Sequence, residues 1–111
     1  MRDVMLDLET MGNGPQAAIV AIGAVEFDAD AGMLGESFYA AVDLASSVRM
    51  GGVMDAGTVL WWLKQSDAAR EAFSRGGQHI SAALMAFSNW LELRAPIKEL
   101  KIWGNGAAFD N

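Results

Sequence analysis

Val4-Met5-Leu6-Asp7-Leu8-Glu9-Thr10 is the stretch from which the rest of the chain is read. Val4, Met5, Leu6 and Leu8 make it a buried strand, apolar on both faces of its sheet. Side chains alternate along a strand, so Asp7 and Glu9 project to the same side. Two carboxylates held that close repel each other and resist desolvation unless a cation compensates them. Oxygen donors suit a hard divalent ion, Mg2+ or Mn2+. The alternative, on this stretch alone, is a strand end carrying two solvated acids. Gly12-Asn13-Gly14-Pro15 follows at once, turn chemistry that cannot continue a strand.

The composition narrows the choice. The chain has 111 residues, 52% of them apolar and 20% charged, which suits one globular domain with one core. It has no cysteine, which excludes disulfides and thiolate zinc sites, and a single histidine, His79, which excludes a multi-His centre. Any metal here is held by carboxylates. No apolar run approaches the roughly eighteen residues of a membrane span. Met1-Arg2-Asp3 places an acid where a signal peptide carries its basic region, so a soluble, cytoplasmic protein is expected. The formal net charge of −6 argues against coating nucleic acid by bulk electrostatics. It leaves room for an enzyme that engages a phosphate locally through a metal.

A second strand is expected over Ala18 to Phe27, with Gly23 marking a bulge or a close approach by another element. Asp28-Ala29-Asp30-Ala31-Gly32 reads as a hairpin turn, not as a calcium loop, whose remaining ligand positions are lacking. A third strand runs from about Gly35 to Val42, with Phe38, Ala40 and Val42 on one face, completing an antiparallel meander. Asp43 to Gly57 reads as an irregular connection with room for one turn of helix. Asp55 is placed to cap a helix over Thr58 to Gln65, and Ser66 or Asp67 caps another through Phe73, ended by Arg75-Gly76-Gly77. The longest helix runs from about His79 to Arg94, with Ile80, Leu84, Phe87 and Leu91 forming a stripe that must lie on the sheet. Pro96 breaks the pattern, and Leu100 to Trp103 is a short fourth strand. The order expected is strand-strand-strand-helix-helix-strand.

A strand, a helical crossover and a further strand in one sheet normally become parallel neighbours with a right-handed connection. Ligands in such sheets gather at the carboxyl ends of strands. Asp7 and Glu9 lie near that end of the first strand, and Asp110 lies just beyond the fourth. If those strands are neighbours, three carboxylates converge. An α/β fold of this kind is the opening half of a ribonuclease H-like arrangement.

At this point the residues resemble a known family. Asp7-Leu8-Glu9-Thr10 is similar to the first motif, Asp-x-Glu-Thr/Ser, of the DEDD (DnaQ-like) 3′–5′ exonucleases. Asn105-Gly106-Ala107-Ala108-Phe109-Asp110 resembles their second motif, Asn-x-x-x-Phe-Asp. Trp61-Trp62-Leu63-Lys64-Gln65-Ser66 looks like the Trp-Trp-x-x-Gln stretch of a bacterial and phage branch labelled exodeoxyribonuclease VIII-like or 3′–5′ exoribonuclease. The likeness runs through the whole chain. An Asp-x-Glu by itself is a weak signal; two motifs at this separation, with a tryptophan pair between them, are specific.

The resemblance implies hydrolysis of phosphodiester bonds at the 3′ end of single-stranded DNA or RNA, with two divalent ions about 4 Å apart. Carried over, Asp7 bridges both ions, Glu9 holds the one that activates water, and Asp110 orients them, partly through water. Thr10 and the backbone at Met11 would meet the 3′-terminal nucleotide, with Asn105 nearby. One of Trp61 and Trp62 has to face the core while the other can reach the cleft, where stacking is worth ~1–3 kcal/mol per base. Gln65 could touch substrate or be a solvated polar residue. Trp90 and Trp103 are expected in the core, and His79 as a cap or surface residue. In the family a third motif, with a fourth acid and a His or Tyr base, lies downstream of the second. Residues 1–111 are therefore expected to be the N-terminal part of one ribonuclease H-like exonuclease domain, with its fold incomplete at the C-terminus. Lacking the base, such a chain would be slower by ~10²–10⁴-fold. Apolar sheet surface left uncovered would favour a homo-oligomer. The other class of function is a non-catalytic ribonuclease H-like module acting in assembly or binding.

Overall fold

The structure, a computed structural model, describes residues 3–104. Three strands, β1 (Asp3–Thr10), β2 (Ile19–Asp28) and β3 (Met33–Ala41), form the antiparallel meander. β4 (Lys101–Gly104) pairs in parallel with β1, giving the sheet order β3-β2-β1-β4. The Asp28 carboxylate accepts the amides of Asp30 and Ala31, and Gly32 takes φ 65°, so those acids build the β2–β3 turn. Gly23 carries no bulge; the irregularities fall at Glu9/Thr10 and at Val25/Phe27.

One face of the sheet is covered by α4 (Ile80–Glu92). Leu6, Leu8, Ile22, Phe38, Ala40 and Val42 meet Ile80, Ala83 and Phe87 there, and Val4 and Ala24 meet Leu91. The helix stripe is thus Ile80, Ala83, Phe87 and Leu91. Leu84, expected in it, turns outward and is 47% exposed, because the small Ala83 takes the position nearest the sheet. His79 caps the helix, its Nδ1 accepting the Ser81 amide at 3.1 Å. Trp90 packs against Phe38 and Phe87, as a core residue should. Trp103, also expected in the core, is 51% exposed: β4 is the outer strand of the described sheet, and the indole N–H is directed to the Asp3 carboxylate, 3.4 Å away.

Between β3 and α4 the chain makes three helices, the first of them a six-residue helix inside the connection expected to hold one turn. The first, α1 (Leu44–Arg49), is capped by Asp43, which accepts the Ser46 amide at 3.0 Å. Its buried serines explain why no apolar period announced it. The Ser46 hydroxyl donates to the Asp43 carbonyl and accepts the Ile80 amide, while Ser47 donates to the Ile19 carbonyl. α2 (Ala56–Leu63) starts at the expected Asp55 cap and α3 (Asp67–Ser74) at Ser66. A single 3-10 turn, Ile97–Glu99, precedes β4. No described helix is long and apolar enough to cross a membrane.

Candidate active site

Strand alternation puts Asp7 and Glu9 on the face of β1 opposite Leu6 and Leu8. Across the ladder Asp7 pairs with Gly23 and Glu9 with Ala21, so their cross-strand neighbours offer a hydrogen and a methyl group, not a cation. Among the described residues the ion pairs are Arg70–Asp67, Arg75–Glu71 and Arg94–Glu26, and none involves Asp7 or Glu9. Partial burial pushes the Glu9 carboxyl above its ordinary range, and the neighbouring Asp7 charge pushes it further. The donors are all carboxylate oxygens, and among the described residues no cation pairs with them. That combination fits a hard divalent cation.

The end of β1 is fixed by contacts from three directions. The Thr10 hydroxyl is buried and donates to the Gly12 carbonyl at 2.8 Å. The Trp62 indole N–H, from α2, donates to the Thr10 carbonyl at 2.9 Å. Met11 is 2% exposed in a cluster with Ala18 and Val20; its amide donates to the Ala18 carbonyl and its own carbonyl accepts the Asp55 amide. A Cβ on Gly12 would stand 2.6 Å from the Val53 carbonyl oxygen, so only glycine lets the chain turn here. Thr10 and Met11, both expected to meet a nucleotide, use these groups to hold the strand end in place.

Trp62 packs edge-on against Phe73 and Trp61, with ring centroids 5.0 and 5.1 Å away. Trp61 is 55% exposed. The Gln65 amide donates to the Trp61 carbonyl at 2.9 Å, closing the end of α2. Of the aromatic pair, then, Trp62 braces β1 and Trp61 presents a ring to solvent. Asn105 and Asp110 lie outside the described residues. β4 ends at Gly104 beside Leu6, one position before Asp7. Among the described residues no three metal-ligating side chains cluster.

Tyr39 received no role in the sequence reading. It pairs with Gly23, which pairs with Asp7, so the three form one row across β3, β2 and β1. Alternation along β3 already separates Tyr39 from Phe38 and Ala40, but the register that aligns it with Asp7 is not visible in one sequence. A hollow of about 610 Å3 lies elsewhere, between Gln16, Ile19, Ser47, Met50, Ile80 and Leu84. A smaller one of about 300 Å3 adjoins the β1 end and is lined by Gly12, Asn13, Pro15, Val53, Met54 and Asp55.

A four-stranded sheet with β1 and β4 parallel, a helix across one face and an acid pair at the end of β1 has the ribonuclease H-like architecture found in nucleases. It is similar to the crystal structure of cell-death related nuclease 4 (CRN-4), with a TM-score of 0.61 and 14% identity over 94% of this chain and 34% of that one. The chain thus spans about a third of that protein's length. Residues 2–111 match the family of the 3′-5′ exoribonuclease Rv2179c-like domain, and the chain belongs to that family, within the DnaQ-like 3′–5′ exonucleases. No curated protein matches it significantly.

Proposed function

We propose that this domain is a metal-dependent 3′–5′ exonuclease acting on single-stranded RNA, with Asp7 and Glu9 as the core of its metal site. The observation that carries the proposal is the carboxylate pair that no cation among the described residues pairs with, on a strand end held by Trp62 and Gly12. The family to which the chain belongs supports RNA over DNA as the substrate. Asp7 and Glu9 would hold the ions, with Asp110 as the third acid. Mg2+ or Mn2+ bound there would lower the pKa of a bound water and offset charge on the phosphodiester. The contribution of the protein is placement. The bulge after Glu9 and the Trp62 hydrogen bond fix the direction of the two carboxylates, and the exposed ring of Trp61 offers a surface on which a base can stack.

The test is 5′-labelled single-stranded RNA incubated with the protein and Mn2+, alongside calorimetric titration of Mn2+. Progressive shortening from the 3′ end is expected. Asp7→Ala should reduce it by more than about 100-fold, since even outer-shell partners of a metal are worth ~10–100-fold, and should abolish the Mn2+ titration. Intact RNA with the wild-type protein, or an Asp7→Ala variant that cleaves and binds Mn2+ normally, would overturn the proposal.

A further inference from the structure

Across the sheet from Asp7, the row of paired residues passes through Gly23 to Tyr39. Two strand spacings, about 10 Å, separate the Asp7 and Tyr39 backbones, and the only side chain between them is a hydrogen atom. The Tyr39 ring occupies the margin of that gap, its Cδ1 4.0 Å from where a Cβ on Gly23 would stand. Tyr39 is 61% exposed, and among the described residues its hydroxyl makes no hydrogen bond. A tyrosine that only closed a core would be covered, with its hydroxyl partnered. This one stands open beside two uncompensated acids.

We propose that Tyr39 is a substrate-contacting residue, whose phenol hydroxyl donates a hydrogen bond to a phosphate oxygen of the nucleic-acid strand held at Asp7 and Glu9. This rests on the nuclease reading of the same site and adds the strand path across β2 to β3. The charge balance favours it. A phosphodiester approaching two carboxylates needs neutral or positive donors, and a phenol brings a donor without adding negative charge. A phenol, with an ordinary pKa of about 10, keeps its proton through the neutral range. Gly23 has a matching role: any larger side chain there would fill the space between hydroxyl and carboxylates.

Tyr39→Phe tests this, because it removes the hydroxyl and keeps the ring. With 5′-fluorescein single-stranded RNA and Mn2+, KM should rise about 10-fold, the scale of a lost hydrogen bond to a charged group. The kcat, the Mn2+ titration and the thermal midpoint should stay at wild-type values. A Tyr39→Phe variant with wild-type KM overturns the contact. So does a Tyr39→Leu variant that loses affinity while Tyr39→Phe keeps it, since the ring and not the hydroxyl would then be the contact. A wild-type protein that leaves RNA intact removes the nuclease reading itself, and that failure appears before any variant is made.

Discussion

Glu26 and Glu9 lie on adjacent strands, on opposite faces of one sheet, and the protein treats them in opposite ways. Glu26 is on the covered side. Its carboxylate accepts the Arg94 guanidinium at 3.3 Å and the Glu36 amide at 2.9 Å, with Arg94 stacked 4.8 Å from the Trp90 ring centroid. Glu9 has Asp7 for its nearest charge and a carboxyl pushed up in pKa. The covered face neutralises its acid internally, which serves stability. On the other face no described cation pairs with Asp7 or Glu9, and on the proposed reading that leaves them free to bind one from outside. β1 carries both arrangements at once, Leu6 and Leu8 on one side and Asp7 and Glu9 on the other, through nothing more than the two-residue period of a strand.

The contrast can be broken at several points. Ile22, 1% exposed in the α4 cluster, should be the most expensive residue to trim. Ile22→Ala is expected to lower unfolding free energy by about 2–5 kcal/mol in urea titration. If Asp7→Asn costs as much, the division between the faces is wrong. Arg94→Leu strands Glu26 at 14% side-chain exposure and should cost about 2–3 kcal/mol by the same measurement. A change within error would mean that Glu26 finds water instead. Trp62→Phe keeps an aromatic ring but trims the indole and loses the hydrogen bond to Thr10, for at least about 1 kcal/mol, and should weaken Mn2+ binding as the strand end loosens. Unaltered Mn2+ affinity would separate the brace from the site.

Glu9→Gln gives the smallest effect and the most direct one. With its pKa raised above 4.5, the folded state holds the Glu9 proton more firmly than the unfolded chain does. Ionised Glu9 therefore disfavours folding at neutral pH, and that penalty is relieved as pH falls through the raised value toward 4.5. Urea midpoints measured against pH should show Glu9→Gln more stable than wild type at neutral pH, with the two converging on acidification. Saturating Mn2+ should reverse the order. Parallel pH curves would mean that Glu9 is already compensated.

Much of this was legible in the residues. The meander, its turn at Asp28, the caps at Asp55, Ser66 and His79 and the Asp7–Glu9 pair rest on local signals (alternation, capping side chains and turn residues), and the parallel return of β4 on the handedness of a helical crossover. What escaped depends on who meets whom. Ser46 and Ser47 are polar letters that become buried by donating to carbonyls far along the chain, so α1 showed no period. The Trp62 N–H reaches a carbonyl fifty-two positions away, which no spacing rule contains. Tyr39 became a candidate only when the register set it opposite Gly23. Leu84 and Ala83 exchanged roles because closeness to the sheet, and not hydropathy alone, decides which helix residue is buried.

The Val42–Gln78 bridge carries a different kind of consequence. The Asp43 amide donates to the Gln78 carbonyl at 2.7 Å and the Gln78 amide to the Ala41 carbonyl at 3.0 Å, so α1 to α3 leave the sheet and return to it at one place. Residues 43–78 are thus a closed excursion, pinned along its way where the Val53 amide donates to the Gln16 carbonyl, the Asp55 amide to the Met11 carbonyl and the Trp62 indole to the Thr10 carbonyl. The excursion bears Trp61, the exposed ring beside the site, while Asp7 and Glu9 stay on a strand whose register is locked on both sides. Insertions between α2 and α3, which leave Val53, Asp55 and Trp62 in place, can therefore change what surrounds Trp61 while Asp7 and Glu9 stay where they are.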